Sequence, residues 1–156
     1  MTVQVLYTNN LNVKSSTNYV LFSNKNFEVN NLNRFFSREQ ISFIKEIVKK
    51  KDNNKKFIIF DLNSKETIIL VKLQSDLSSF EIENLGAGFF NFIKANSISD
   101  LTINLDSIEN KKNAGKIIEQ FLHGAQLKSY DFNIYKNKIK KNNIKINILS
   151  SSKNLQ

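Results

Sequence analysis

The sequence predicts an α/β domain, a three-layer α/β/α sandwich built on a mixed sheet. Three observations lead there. From residue 67 onward, apolar segments alternate as strand, helix, strand, helix and strand, the order that lays helices over a partly parallel sheet. Just before and into that run, Phe57-Ile58-Ile59-Phe60 and Thr67-Ile68-Ile69-Leu70-Val71 are dense β-formers separated by Asn63-Ser64-Lys65-Glu66. That is a hairpin pattern, and it makes the sheet mixed. A chain of 156 residues suits a single domain, large enough to bury roughly 70% of the surface its unfolded form exposes.

Each element has its own signal. Val3, Val5 and Tyr7 open a first short strand, and Tyr19-Val20-Leu21-Phe22 reads as a second after an Asn- and Ser-rich loop. Ser37-Arg38-Glu39-Gln40 is a capping box, with a hydroxyl to accept from a backbone N–H and a Gln to reach back. Ile41, Ile44, Ile47 and Val48 then fall on one helical face. Lys49, Lys50 and Lys51 close that helix, where cations suit its dipole. Ser78-Ser79-Phe80-Glu81 starts a second capped helix with apolar positions Ile82, Leu85, Phe89, Phe92 and Ile93. Residues 101–105 form a strand, and Ala114, Ile117, Ile118, Phe121, Leu122 and Ala125 mark a third helix. Ile144, Ile146 and Ile148 alternate in a last strand. Ile41, Ile44, Phe89, Phe92, Phe121 and Leu122 are expected to face the sheet. Residues 1–149 form the one domain, and 150–156 are a polar tail.

Composition narrows the function. Without cysteine, disulfides, thiolate zinc sites and cysteine nucleophiles are excluded. Met1-Thr2-Val3-Gln4 has neither the charged nor the apolar region of a signal peptide. No apolar run reaches the ~18 residues of a membrane span. A cytoplasmic location is expected, with no membrane partner. The formal charge of +9 invites a nucleic-acid reading. However, two of the 23 basic residues are arginine, Arg34 and Arg38, and arginine is the usual reader of phosphates and guanines. A Lys-, Asn- and Ile-rich chain without Pro or Trp is also what AT-rich codons produce.

The residue types that carry chemistry form no catalytic constellation. His123 is the sole histidine, so it cannot form a His-rich zinc site within this chain, and it reads as structural or surface. Gly86-Ala87-Gly88 lies inside a helical periodicity, where a phosphate-binding loop would need a strand-to-helix turn. It reads instead as small residues that let the helix sit close to a sheet. Asp61, Asp76, Glu81, Glu83, Asp100 and Asp106 show no metal-ligand spacing. Lys136, Lys138, Lys140 and Lys141 are the sharpest charged feature, preceded by Tyr130, Phe132 and Tyr135. Basic and aromatic residues together suit a nucleic acid. The competing reading is a solvated turn with the aromatics in the core.

Residues 124–136 read Gly-Ala-Gln-Leu-Lys-Ser-Tyr-Asp-Phe-Asn-Ile-Tyr-Lys. This resembles the end of the N-terminal domain of the leucyl (cytosol) aminopeptidases, peptidase family M17, where a helix ends in glycine before a Tyr-x-Phe-x-x-Tyr-Lys run. Gly124, Leu127, Tyr130, Phe132, Tyr135 and Lys136 fall at the matching positions. The element order over about residues 57 to 149 follows the family as well. Val71-Lys72-Leu73 stands where the family often has Gly-Leu-Gly.

The resemblance implies a macro-domain-like sandwich that does no peptide chemistry, lies at the periphery of a hexamer and helps to pair its trimers. Two divalent metals, zinc or manganese, would belong to a separate C-terminal catalytic domain, to which residues 150–156 begin a linker. This chain would hold no catalytic, cofactor-binding or metal-binding residue. Its partners would be that catalytic domain and further copies of itself. The alternative is a basic nucleic-acid-binding module that binds DNA weakly through Lys136, Lys138, Lys140 and Lys141. A macro-like nucleotide binder is a third reading, on fold analogy alone.

Overall fold

In the computed structural model, the structure describes residues 3–8, 18–24, 26–29, 32, 36–51, 54–74, 76–108, 112–135 and 144–149. In chain order these form β1 (Val3–Thr8), β2 (Asn18–Ser23), α1 (Arg38–Lys49), β3 (Phe57–Asp61), β4 (Thr67–Lys72), α2 (Ser79–Ala95), β5 (Asp100–Asn104), a 3-10 turn (Leu105–Ser107), α3 (Ala114–Tyr135) and β6 (Ile144–Leu149). The six strands form one sheet in the order β1-β6-β5-β2-β4-β3. Every neighbouring pair is parallel except β3 and β4. The α/β class and the mixed sheet expected from the sequence are both present.

The local chemistry explains the boundaries. Ser37 Oγ accepts from the Gln40 amide at 3.2 Å, and the Ser37 amide donates to Gln40 Oε1 at 3.0 Å. The predicted capping box thus satisfies two amides that the first turn of α1 would leave bare. Ser78 Oγ accepts from the Glu81 amide at 3.2 Å and starts α2 in the same way. In the β3–β4 hairpin, Asn63 Oδ1 accepts from the amides of Lys65 and Glu66, both at 2.8 Å. This side chain stands in for a backbone turn and sets the register in which Phe57 faces Val71 and Asp61 faces Thr67.

The pleat divides the core between two faces. Val20, Phe22, Ile69, Val71, Leu101, Ile103, Ile144, Ile146 and Ile148 pack with residues of α2 and α3. Leu21, Ile58, Phe60, Ile68 and Leu70 point the other way and pack with Ile44 of α1 and with Phe27 and Leu32 of the β2–α1 connection. The apolar set on β4 therefore looks continuous because both of its faces are covered. Over β5 and β6 the second face is polar: Thr102 and Asn147 are buried there as register partners.

Four of the six expected core residues, Ile44, Phe89, Phe121 and Leu122, are buried. Ile41 and Phe92 are half-buried at the margins. Phe92 lies over the edge-strand residue Phe57 at 5.3 Å between ring centroids, so its outer side has no further layer above it.

The glycines correct one expectation. Gly86 lies inside α2, as the periodicity requires, but the element it lets approach is α3 and not the sheet. A Cβ on Gly86 would collide with the backbone carbonyl of Phe121, and one on Gly124 with the backbone carbonyl of Glu83. Each glycine therefore sits against the carbonyl three residues before the other glycine. Such close approach permits Cα–H···O contacts between helices. Beneath the crossing, Phe121 meets Phe22 at 5.3 Å and Phe89 at 5.1 Å.

Gly124 was also expected to end its helix. Instead α3 continues to Tyr135, because the residue is needed for the crossing and its φ is not positive.

Two measurements test this architecture. Gly86→Ala or Gly124→Ala overpacks backbone against backbone and should cost roughly 3 kcal/mol or more, a fall of roughly 6–12 °C in Tm for a domain of this size. Gly88 offers the opposite sign: its added Cβ would lie 3.5 Å from the Phe57 ring, an ordinary contact. Gly88→Ala should stabilise by about 1 kcal/mol through helix propensity. Thermal melts of the three variants would show whether the signs differ. Separately, burial and then the Glu66 carboxylate push the Tyr19 hydroxyl above its ordinary 10.0. A raised folded-state pKa stabilises fully below the unfolded value and loses that contribution as pH rises through the folded value. Stability should therefore fall as pH passes 10.0 toward the folded value, and Tyr19→Phe should remove that component in alkaline unfolding curves.

Candidate functional site

Among the described residues, a groove of about 480 Å³ lies between α1 and the segment after β2. On the helix wall, Ile44 and Val48 form one i,i+4 row, and Lys45 and Lys49 form the row beside it. Asn26, Phe27, Glu28, Val29 and Leu32 supply the other wall. The floor is aliphatic and the helix rim basic. Lys50, Lys51, Lys55 and Lys56 follow on exposed positions and extend the charge toward the start of β3. Among the described residues, no carboxylate lies in ion-pair contact with Lys45 or Lys49.

The loop wall is held unusually firmly. Asn24 Oδ1 accepts from the amides of Asn26 at 2.9 Å and Glu28 at 3.0 Å, and Asn24 Nδ2 donates to Glu28 Oε2 at 3.1 Å. The Phe27 amide donates to the Asn24 carbonyl at 3.0 Å. These bonds hold Phe27 at φ 59°, a left-handed conformation that costs a bulky residue about 1–3 kcal/mol. Its ring is buried, and the Lys72 ammonium sits 4.5 Å from its centroid, a cation–π contact. The ring is therefore a wall and not a stacking platform.

A second, smaller crevice of about 200 Å³ lies where β4 ends and α2 and α3 begin, lined by Leu73, Ser79, Asn113, Lys116 and Gln120 among others. Open α/β sheets bind ligands where neighbouring strands send their connections in opposite directions. Here those strands are β2 and β5. That point is occupied by the 3-10 turn: Ser107 Oγ accepts from the Phe22 amide at 2.8 Å and donates to the Asn104 carbonyl at 2.6 Å.

The residues singled out from sequence fare differently. Lys136, Lys138, Lys140 and Lys141 lie outside the described residues. Phe132 and Tyr135 fall on α3, and their side chains are not among those described. Tyr130 was expected in a buried corner, yet it is 66% exposed, and Leu127 is 51% exposed. Because α3 does not stop at Gly124, both stand on its outer side beyond the crossing, where no described element covers them. His123 does meet a carboxylate: its Nδ1 lies 3.1 Å from Glu83 Oε1 on α2. The partner sits 40 residues away in sequence, so no local pattern could show it. Both side chains are exposed enough for the pair to be worth little.

Among the described residues, no group of three or more His, Cys, Asp or Glu could hold a metal ion. No described helix is long and apolar enough to cross a membrane. Of the two groove lysines on α1, Lys49 is visible in sequence as a helix-end feature, and Lys45 is not singled out by any local pattern. Their place beside an aliphatic groove is not visible there, because the second wall comes from a loop ahead of the helix.

Comparison with known proteins bears on the fold alone. No family model matches the sequence, and no curated protein does so either. Solved structures do match. A tomato leucine aminopeptidase mutant superposes with TM-score 0.62 at 14% identity, over 96% of this chain and 33% of that one. The macrodomain of Thermus aquaticus DarG gives TM-score 0.62 at 8% identity, over 95% of this chain and 99% of that one. The macro domain of ganglioside induced differentiation associated protein 2 gives 0.56 at 10% identity, over 94% and 77%. This chain spans about a third of the aminopeptidase's length, and its fold is macro-domain-like.

Proposed function

We propose that this chain is the non-catalytic domain of a leucyl aminopeptidase of the M17 type and serves assembly rather than chemistry. What supports this is that 96% of the chain superposes on one third of tomato leucine aminopeptidase, together with the Gly124-to-Lys136 resemblance. On this reading, peptide hydrolysis and its two divalent metals, zinc or manganese, belong to a C-terminal domain. The partners are that domain and further copies in a hexamer, in the cytoplasm. The domain's own polar residues then lie along the helix crossing: His123 meets Glu83 of α2, and Gln120 Nε2 donates to Ser79 Oγ at 2.8 Å.

The lysine row of α1 favours a second reading, a nucleic-acid-binding module. Lysines are point charges on flexible stems, suited to phosphate contact and poor at base readout.

Each reading has a direct assay. The isolated chain should not hydrolyse leucine p-nitroanilide with added manganese or zinc, and metal-dependent turnover at enzyme-like rates would sink the non-catalytic reading. Fluorescence anisotropy with a labelled duplex should show weak binding at physiological salt. A site using about four phosphates would give a log–log salt slope near −3.6. Nanomolar, sequence-dependent binding at that salt would establish the module instead, and reversing Lys136, Lys138, Lys140 and Lys141 or Lys45 and Lys49 would tell which lysines carry it.

A further inference from the structure

The basic groove has a complement on the same chain. Phe80, in the first turn of α2, is 71% exposed and is the most exposed of the large hydrophobic residues described. It stands between two exposed carboxylates, Asp76 and Glu81. An exposed phenyl ring with acidic neighbours in sequence complements an aliphatic groove rimmed by lysines in polarity and charge. The groove, at about 480 Å³, has room for one aromatic side chain. Its floor of Val29, Leu32, Ile44 and Val48 offers the apolar contact that the ring lacks.

We propose that Phe80 of one copy docks in the groove that α1 forms with Asn26, Phe27, Glu28, Val29 and Leu32 of a second copy, with Asp76 and Glu81 facing Lys45 and Lys49. Glu28 also lies in the groove wall, but its carboxylate is engaged by Asn24 Nδ2 and sits on the wall opposite the lysines. The anchor belongs to the α2 layer and the groove to the α1 layer, on opposite faces of the sheet. One molecule therefore cannot satisfy its own groove. The contact is head-to-tail, and such a contact extends into rings or chains rather than closing as a symmetric pair. An oligonucleotide is the poorer occupant of the groove, since Phe27 is buried and offers no face for base stacking.

The inference deepens the assembly role proposed above and rests on it, but the two fail separately. A wild-type chain that stays monomeric removes this contact, whereas metal-dependent turnover by the same chain removes the assembly reading. The experiment is sedimentation velocity on the full chain over a wide concentration series at ~0.15 M salt. The Debye length there is about 8 Å, so the repulsion of net-positive molecules is short-ranged while contact pairs persist. Wild type should gain mass with concentration. Phe80→Asp, which keeps the groove, and the double variant Lys45→Glu/Lys49→Glu, which keeps the anchor, should each stay monomeric.

An equimolar mixture of the two should form a one-to-one complex and go no further, because the mixture holds one intact groove and one intact anchor that can meet. All these positions except Phe80 and the two lysines are left as they are, and far-UV circular dichroism would confirm that both variants remain folded. Wild-type-like association by either variant alone, or a mixture that remains monomeric, overturns the proposal. So does tighter binding of a labelled single-stranded oligonucleotide that the Lys45→Glu/Lys49→Glu change abolishes while self-association is unaffected.

Discussion

The crossing of α2 and α3 leaves no room for a methyl group, and the position of everything on that side of the sheet depends on it. Gly86 lies against the Phe121 carbonyl and Gly124 against the Glu83 carbonyl. Helices this close lower their inner faces together onto the strands, which brings Phe89, Phe121 and Phe22 into one aromatic cluster. Separating the helices to admit a side chain would lift both from the sheet and open voids beneath rings that are close-packed. The same approach carries the Glu83–His123 and Ser79–Gln120 contacts along its outer margin. These polar contacts follow from the crossing and do not create it, since exposed pairs contribute little by themselves.

Much of the fold was legible because its signals are local. A capping box needs four consecutive residues, a hairpin needs two β-rich runs and a turn, and an amphipathic face needs a periodicity. Ser37–Gln40, the β3–β4 pair and the helical setting of Gly86 all belong to this class. What could not be read depends on contacts between distant segments. Gly124 carries the same residue type as a helix terminator, and what distinguishes the two uses is a carbonyl of another helix. Tyr130 reads as a core residue because the family match sets it at a corner that closes the domain after an ended helix. With α3 continuing, Tyr130 faces out, as does Leu127. Phe92 was assigned to the core by its periodicity, which reports a face but not how far the adjoining layer extends.

The groove shows the same limit from the side of function. Lysines at the end of a helix need no ligand to explain them, since they complement its dipole. Their meaning changes once an aliphatic floor lies beside them. That floor exists because Asn24 folds the segment after β2 into a turn tight enough to hold a phenylalanine in a left-handed conformation. Backbone strain of this kind persists where surrounding bonds over-determine it. Here five hydrogen bonds within residues 24–28 do so.

The strand order has a consequence for how the molecule comes into being. Among the described strands, β1, the first in chain order, pairs with β6, the last in that order, in a register that sets Val3 beside Ile144. β6 in turn is the bridge between β1 and the rest of the sheet. During synthesis β1 has no native neighbour until nearly all the other elements have been completed. The hairpin, and the β4-α2-β5 unit around β2, can associate beforehand, but closing the sheet must wait on the most distant pairing in the chain. Distant parallel pairings of this kind slow folding, because chain entropy is lost before the contacts that repay it can form. Until β6 emerges, a ribosome-bound chain would therefore carry β1 as an unpaired, half-apolar edge, the state in which sheet edges invite the wrong partner.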